Sequence, residues 1–223
     1  MRKPAMFLSA FLLLFSIMQV IQPLNVMAMS VNKKIIVIDA GHGGWDPGKV
    51  GANDVLEKDI NLAIAEDLQV LLETSGAVVF MTRAADVALA DRKNADLSAR
   101  STMPSEMQAH ILVSIHQNSY PQKDVKGAQT FYYTDSEKGK RLASAIQDRI
   151  RGFLDGENRR EAKVDNNYYL LRKSEIPAVI VECGFLSSPE ETLMLAREDY
   201  QEKMAWAIYM GILDYFNEAD ASE

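Results

Sequence analysis

The sequence has a single cysteine, Cys183, among its 223 residues. No internal disulfide can form, so the fold must be held by its hydrophobic core alone. Internal repeats and low-complexity tracts are absent, and a hydrophobic content of 48% with 25% charged residues is ordinary for a globular chain. Positive charge is in short supply: 24 Lys and Arg stand against 31 Asp and Glu, and the pI is about 5.1. That balance argues against nucleic acid or an anionic surface as a partner. Neither HExxH nor a pair of cysteines is present, so the commonest zinc signatures are missing. Ser114 has no G-x-S-x-G around it, which argues against serine hydrolase chemistry. Histidine is rare too, with only His42, His110 and His116.

What is present begins with a hydrophobic N-terminus. Arg2 and Lys3 precede an uncharged run from Ala5 to Ile21, and no acidic residue occurs before Asp39. Val26-Met27-Ala28 offers small residues at the −3 and −1 positions of a cleavage site. Residues 1–28 therefore read as a signal peptide or a retained signal anchor. Either places the rest of the chain outside the cytoplasm, secreted or tethered to the membrane. Without Arg2 and Lys3 the remainder carries 22 basic against 31 acidic residues, a net charge of −9.

Past that segment, apolar strands alternate with amphipathic helices. Lys34 to Ile38 (KIIVI) reads as a buried strand running into a glycine-rich loop, IDAGHGGWDPGKVG, from Ile38 to Gly51. Apolar residues at three- and four-residue spacing predict a helix over Glu57 to Ser75, stopped by Gly76. Ala77 to Met81 reads as a short buried strand, and a polar helix from about Leu89 to Thr102 is expected to break at Pro104. Ile111 to Ile115 is a buried strand ending at His116, and Gly127 to Tyr133 a further strand. Ser136 to Leu154 is helical, Glu157 to Asn167 an exposed loop, and Tyr168 to Leu171 a short edge strand. Pro177 to Val181 is the last buried strand, ending at Glu182. Ser188-Pro189-Glu190-Glu191 forms a capped helix start, and a final helix covers about Tyr200 to Phe216.

Unbroken apolar strands separated by amphipathic helices indicate an α/β sheet covered on both faces. Ligands of such sheets gather at the carboxyl ends of the strands. Three strands end in His42's loop, at His116 and at Glu182, so these residues are expected to meet at one edge. Two histidines and a carboxylate match the ligand set of catalytic zinc with one position left open. Glu57 and Glu182 compete for the carboxylate, one to ligate and the other to act as general base. His110 lies six residues before His116, about 20 Å along a strand, too far to share a metal. Cys183 follows Glu182 in strand register and so faces the other way, as a small buried residue.

Taken together, the glycine loop, Glu57-Lys58-Asp59, SIHQN (Ser114 to Asn118) and PAVIVECGFLSSPEE (Pro177 to Glu191) closely resemble the zinc-dependent N-acetylmuramoyl-L-alanine amidases of the amidase-3 type. The resemblance implies a single-domain α/β three-layer sandwich with a mostly parallel sheet of about six strands. It implies residues 33–217 as the catalytic domain and 218–223 as a disordered tail. It assigns zinc (Zn2+) to His42, Glu57 and His116, and the catalytic carboxylate to Glu182. The implied substrate is peptidoglycan, cut between the lactyl group of muramic acid and L-alanine. Within the family, a bare domain behind a hydrophobic segment is similar to sporulation amidases that trim the spore cortex, with a vegetative cell-wall role as the alternative. A regulatory protein partner is left open. Rival readings are another zinc hydrolase, such as a carbohydrate N-deacetylase, and a non-catalytic wall-binding module. Two departures stand out: Gln117 between histidine and asparagine, expected to reshape the pocket beside the metal, and Ser101 to Gln108 (STMPSEMQ), expected to alter local packing.

Overall fold

The computed structural model describes residues 31–220; the N-terminal signal or anchor segment lies outside them. Among the described residues no helix is long and apolar enough to cross a membrane. Six strands form one sheet: β1 Ile35–Ala40, β2 Val78–Met81, β3 Ile111–Asn118, β4 Gln129–Tyr132, β5 Lys163–Val164 and β6 Ala178–Phe185. Their spatial order is β2-β1-β3-β6-β4-β5, parallel throughout except where β4 pairs antiparallel with β6. Six α-helices connect and cover them: α1 Glu57–Thr74, α2 Lys93–Glu106, α3 Glu137–Arg149, α4 Tyr169–Lys173, α5 Pro189–Leu195 and α6 Glu198–Asp220.

Side chains alternate across a strand, so each strand feeds two cores. Ile36, Ile38, Val113, Ile115, Val179, Val181 and Cys183 point into the larger core, beneath α1, α3 and α6. Val37, Leu112, Phe131 and Ile180 point into a smaller one, closed by α2 and by Leu170 and Leu171 of α4. The same alternation puts Asp39, Ser114, His116 and Glu182 on the face of the smaller core. Cys183, fully buried, lies on the opposite face as its register requires.

Several local expectations are corrected. The strand Ala77 to Met81 is an edge strand rather than a buried one, and Val78 and Phe80 remain 46% and 37% exposed. Helix α2 runs through Pro104 to Glu106. Proline removes one amide donor near the end of the helix without stopping it, and the carbonyl of Pro104 still accepts from the Ala109 amide. Tyr168 to Leu171 is not a strand: Tyr168 caps the short helix α4, whose Leu170 and Leu171 fill the smaller core. The edge strand is instead Lys163–Val164, inside the stretch read as a loop. Both its side chains are exposed, so no apolar alternation marked it. The helix α6 extends to Asp220, past the boundary at 217 expected from the sequence. Ser188 does cap α5, accepting from the Glu191 amide at 3.4 Å. Yet the Glu191 carboxylate does not reciprocate; it accepts from the Gly127 amide at 3.0 Å and the Phe185 amide at 2.8 Å, pinning the β4 entry to the end of β6.

Candidate metal centre

The loop after β1 is built to hold His42 in a conformation that its side chain disfavours. His42 itself has φ 63°, the left-handed region, and is flanked by Gly43 at 128° and Gly44 at 57°. Its backbone is held there by two buried arginines. Arg100 Nη2 donates to the His42 carbonyl at 2.7 Å and Nη1 to that of Ala40 at 2.8 Å. Arg83 donates to the carbonyls of Ala40 at 2.8 Å and Gly41 at 3.0 Å. Arg100 is in turn anchored by Asp39 and Asp96, at 2.7 and 2.6 Å. Asp39 also accepts from Ser114 Oγ at 2.6 Å and Thr82 Oγ1 at 2.8 Å. Burial alone would raise the Asp39 pKa, but Arg100, His116 and these hydroxyls bring it below 3.8.

Three donor atoms converge above this network. His42, Glu57 and His116 each offer one, all within 4.8 Å of one another. Glu57, the first residue of α1, places Oε1 3.2 Å from His42 Nε2 and 3.0 Å from His116 Nδ1. The imidazoles meet edge to face, 5.0 Å between centroids. Glu57 is fixed by main-chain amides, with Oε2 accepting from Lys49 at 2.7 Å and Oε1 from Gln117 at 3.0 Å. His42 Nδ1 lies 2.9 Å from Asp46 Oδ2, which turns Nε2 towards Glu57. Asp46 is held in its turn by the Gly48 amide at 3.1 Å. A carboxylate behind a histidine, setting its tautomer, is the usual outer arrangement of a metal site. Nitrogen, oxygen and nitrogen donors with this backing fit zinc.

The electrostatics agree with tight coupling among the three. Burial opposes protonation of His42, yet the Glu57 and Asp46 carboxylates outweigh it and lift its pKa to about 9. Burial likewise pushes Glu57 up, but the two imidazoles hold it well below the usual carboxylate range.

Glu182 stands apart from this trio. It pairs in register with His116 on the neighbouring strand. Its Oε1 accepts from the Tyr168 hydroxyl at 2.8 Å, while the buried Oε2 has no hydrogen-bond partner. Burial raises its pKa, with the Glu57 charge adding to the effect and His116 and Tyr168 opposing it. A desolvated carboxylate beside the donor cluster is poised to take and return protons.

His42 and His116, at the ends of β1 and β3, are thus brought together with Glu57 at the start of α1, and Glu182 lies in register with His116 on the adjacent strand. His110 is exposed and accepts from the Ile35 amide at 3.0 Å, away from the cluster. The expected effect of Gln117 on the pocket is corrected: its side chain lies on the larger-core face and donates to Asn61 Oδ1 at 3.1 Å, while its amide holds Glu57. Sequence reasoning missed Asp46, Tyr168 and the Asp39–Arg100 pair. Asp46 sits inside the glycine motif four residues from His42, which was a usable signal. Tyr168 and Arg100 carried none, since only folding brings them near.

Residues 36–214 match the Amidase_3 family, N-acetylmuramoyl-L-alanine amidase. The germination-specific N-acetylmuramoyl-L-alanine amidase of Bacillus subtilis strain 168 is 38% identical over 199 residues, covering 86% of this chain and 83% of the relative. A solved structure, the CwlD amidase of Clostridioides difficile in complex with the GerS lipoprotein, is 42% identical with a TM-score of 0.80, covering 83% of this chain and 100% of the other. An N-acetylmuramoyl-L-alanine amidase from Clostridium difficile 630 is 33% identical at a TM-score of 0.75, over 83% and 98% of the two chains. With the family match spanning most of its length and these relatives well above 30% identity, the chain belongs to the amidase-3 family, the N-acetylmuramoyl-L-alanine amidases.

Proposed function

We propose that this amidase is a zinc enzyme exported to act on peptidoglycan, with His42, Glu57 and His116 as ligands and Glu182 as general base and acid. The observation that carries the reading is the convergence of three donor atoms within 4.8 Å, beside a buried carboxylate with one free oxygen. A zinc ion held there supplies Lewis acidity, lowering the pKa of water towards about 7 and offsetting charge that develops on an amide oxygen. Glu182 takes one proton from the attacking water as the new C–O bond forms. It returns that proton to the L-alanine nitrogen as the C–N bond to the lactyl carbonyl breaks. The products are a lactyl carboxylate on the glycan and a peptide with a free amine. Tyr168 holds Oε1 of Glu182 and so fixes the carboxylate that moves the proton. Asp46 keeps the proton of His42 on Nδ1, so that Nε2 remains a donor.

A role in the spore cortex is supported by the likeness to a germination-specific amidase, and a protein partner by the likeness to an amidase solved with a lipoprotein. An exported location follows from the uncharged run behind Arg2 and Lys3.

Digestion of purified peptidoglycan with and without chelator tests the central reading. New N-terminal L-alanine that appears only with zinc supports it. Release of acetate, or of nothing, overturns it. Comparing cortex with vegetative peptidoglycan tests the spore role, for which faster release from cortex is expected and equal rates would refute it.

A further inference from the structure

A groove of about 490 Å3 lies beside the donor cluster, lined among others by Lys49, Tyr120, Lys123, Leu186 and Ser187. Hydrogen bonds tie its walls to the elements that carry the donor cluster. The Lys49 amide donates to Glu57 Oε2 at 2.7 Å, so one wall of the groove is also the support of that carboxylate. The Leu186 amide donates to the Asn118 carbonyl at 2.9 Å, and the Tyr120 amide to Ser187 Oγ at 2.9 Å. Part of its lining therefore follows directly on the paired carboxyl ends of β3 and β6, the strands that carry His116 and Glu182. Volume and position both suit an extended substrate segment.

The charge of this groove is opposite to that of the chain. The whole sequence carries a net −7, yet the lining has two lysines and no carboxylate. Among the described residues both lysines are exposed and neither has an ion-pair partner. Two exposed, uncompensated ammonium groups in an acidic protein concentrate anions at one place. The other flank of the cluster has a different character: Trp45, Leu97 and Tyr169 surround the small cavity beside His42 and His116, and Trp45 is half exposed. Aromatic faces suit a sugar ring, and free ammonium groups suit carboxylates.

We infer that the groove is the subsite for the peptide arm of the substrate, with Lys49 and Lys123 as counter-charges for its free carboxylates and Tyr120 packing against its backbone. The glycan then leaves on the Trp45 side, which gives the substrate a single direction across the site. This inference rests on the amidase reading above. It adds that the enzyme distinguishes peptides by carboxylate charge.

The test uses two soluble muropeptides that differ only in whether the peptide carboxylates are free or amidated. The zinc-loaded protein should cleave the free acid with about tenfold higher kcat/KM, chiefly through KM. Lys49→Gln and Lys123→Gln should each reduce that preference about threefold, the size of one exposed ion pair. Lys123→Glu should reduce it further, and raising the salt from about 0.05 to about 0.5 M should erase it. Titration of the released peptide, followed by NMR, should shift resonances at Tyr120 in the original protein and much less in the doubly substituted one. Equal cleavage of both substrates by the original protein, or an unchanged preference in the variants, overturns the subsite. Cleavage of neither substrate overturns the amidase reading instead.

Discussion

Replacing Arg100 with methionine tests the argument that a buried charge network holds the candidate site in place. The guanidinium is 3% exposed and has four acceptors: Asp39 at 2.7 Å, Asp96 at 2.6 Å, and the carbonyls of Ala40 at 2.8 Å and His42 at 2.7 Å. Methionine fills most of the volume but leaves Asp39, 1% exposed, with only the hydroxyls of Ser114 and Thr82. Removing one partner of a buried pair costs about 3–5 kcal/mol. For a domain of this size that is a fall in Tm of about 10 °C. The pH dependence separates this cause from a simple packing defect. In the original protein the Asp39 pKa lies below 3.8, so its stabilisation is present above pH 3.8 and is lost as pH falls through the lower, folded value. Without Arg100, burial dominates and the folded pKa rises above 3.8. Stability is then fully present below that value and is lost as pH rises through the raised one. The gap between the two proteins should therefore narrow as pH falls through the raised value towards 3.8, measured by denaturant unfolding at each pH. The double variant R100M/D39N should recover part of the loss, because the stranded charge is gone. A loss under about 1 kcal/mol, a gap that does not narrow on acidification, or no recovery in the double variant would refute the reasoning.

Other substitutions probe the site and the core. Glu182→Gln should keep its zinc content by atomic absorption while kcat falls by about 10²–10⁴-fold; loss of zinc would mean that Glu182 is a ligand. Gly41→Ala would place a Cβ 2.2 Å from the His116 ring, so zinc affinity should drop at least tenfold with little change in Tm, and unchanged affinity would contradict the geometry. Gly211→Ala puts a Cβ 2.5 Å from the Ile146 Cα where α6 crosses α3, and overpacking should cost about 1–3 kcal/mol in denaturant unfolding without altering zinc binding. Tyr168→Phe removes only the hydroxyl that holds Glu182 Oε1; kcat should fall several-fold at constant KM, and an unaltered kcat would show that this hydrogen bond does not position Glu182.

How much was legible in advance varied by element. Long periodic segments were read well: Glu57 to Ser75 became α1, and the apolar runs from Lys34, Ile111 and Pro177 became β1, β3 and β6. A fully buried strand has no freedom in its composition, so its pattern survives in the chain. Short elements were misread, because few residues carry their signal. Tyr168 to Leu171 is aromatic and aliphatic enough for a strand, but two leucines needed by the smaller core make it helical. Lys163–Val164 is a strand only because β4 offers a free edge.

The candidate site divides along the same line. His42, Glu57, His116 and Glu182 were legible as candidates because metal-binding and acid–base chemistry uses particular residue types in local settings such as a glycine loop, a helix start and two strand ends. The alternation of apolar strands with amphipathic helices likewise pointed to the fold class, and the ordered motifs carried the resemblance to the family. Distances between segments were not encoded locally. That Asp46 lies 2.9 Å behind His42, that Tyr168 leaves one oxygen of Glu182 unpartnered, and that Arg100 reaches across 58 residues to the His42 carbonyl came only from the tertiary structure. A single chain segment specifies what a side chain can do; only packing specifies which neighbour it does it with.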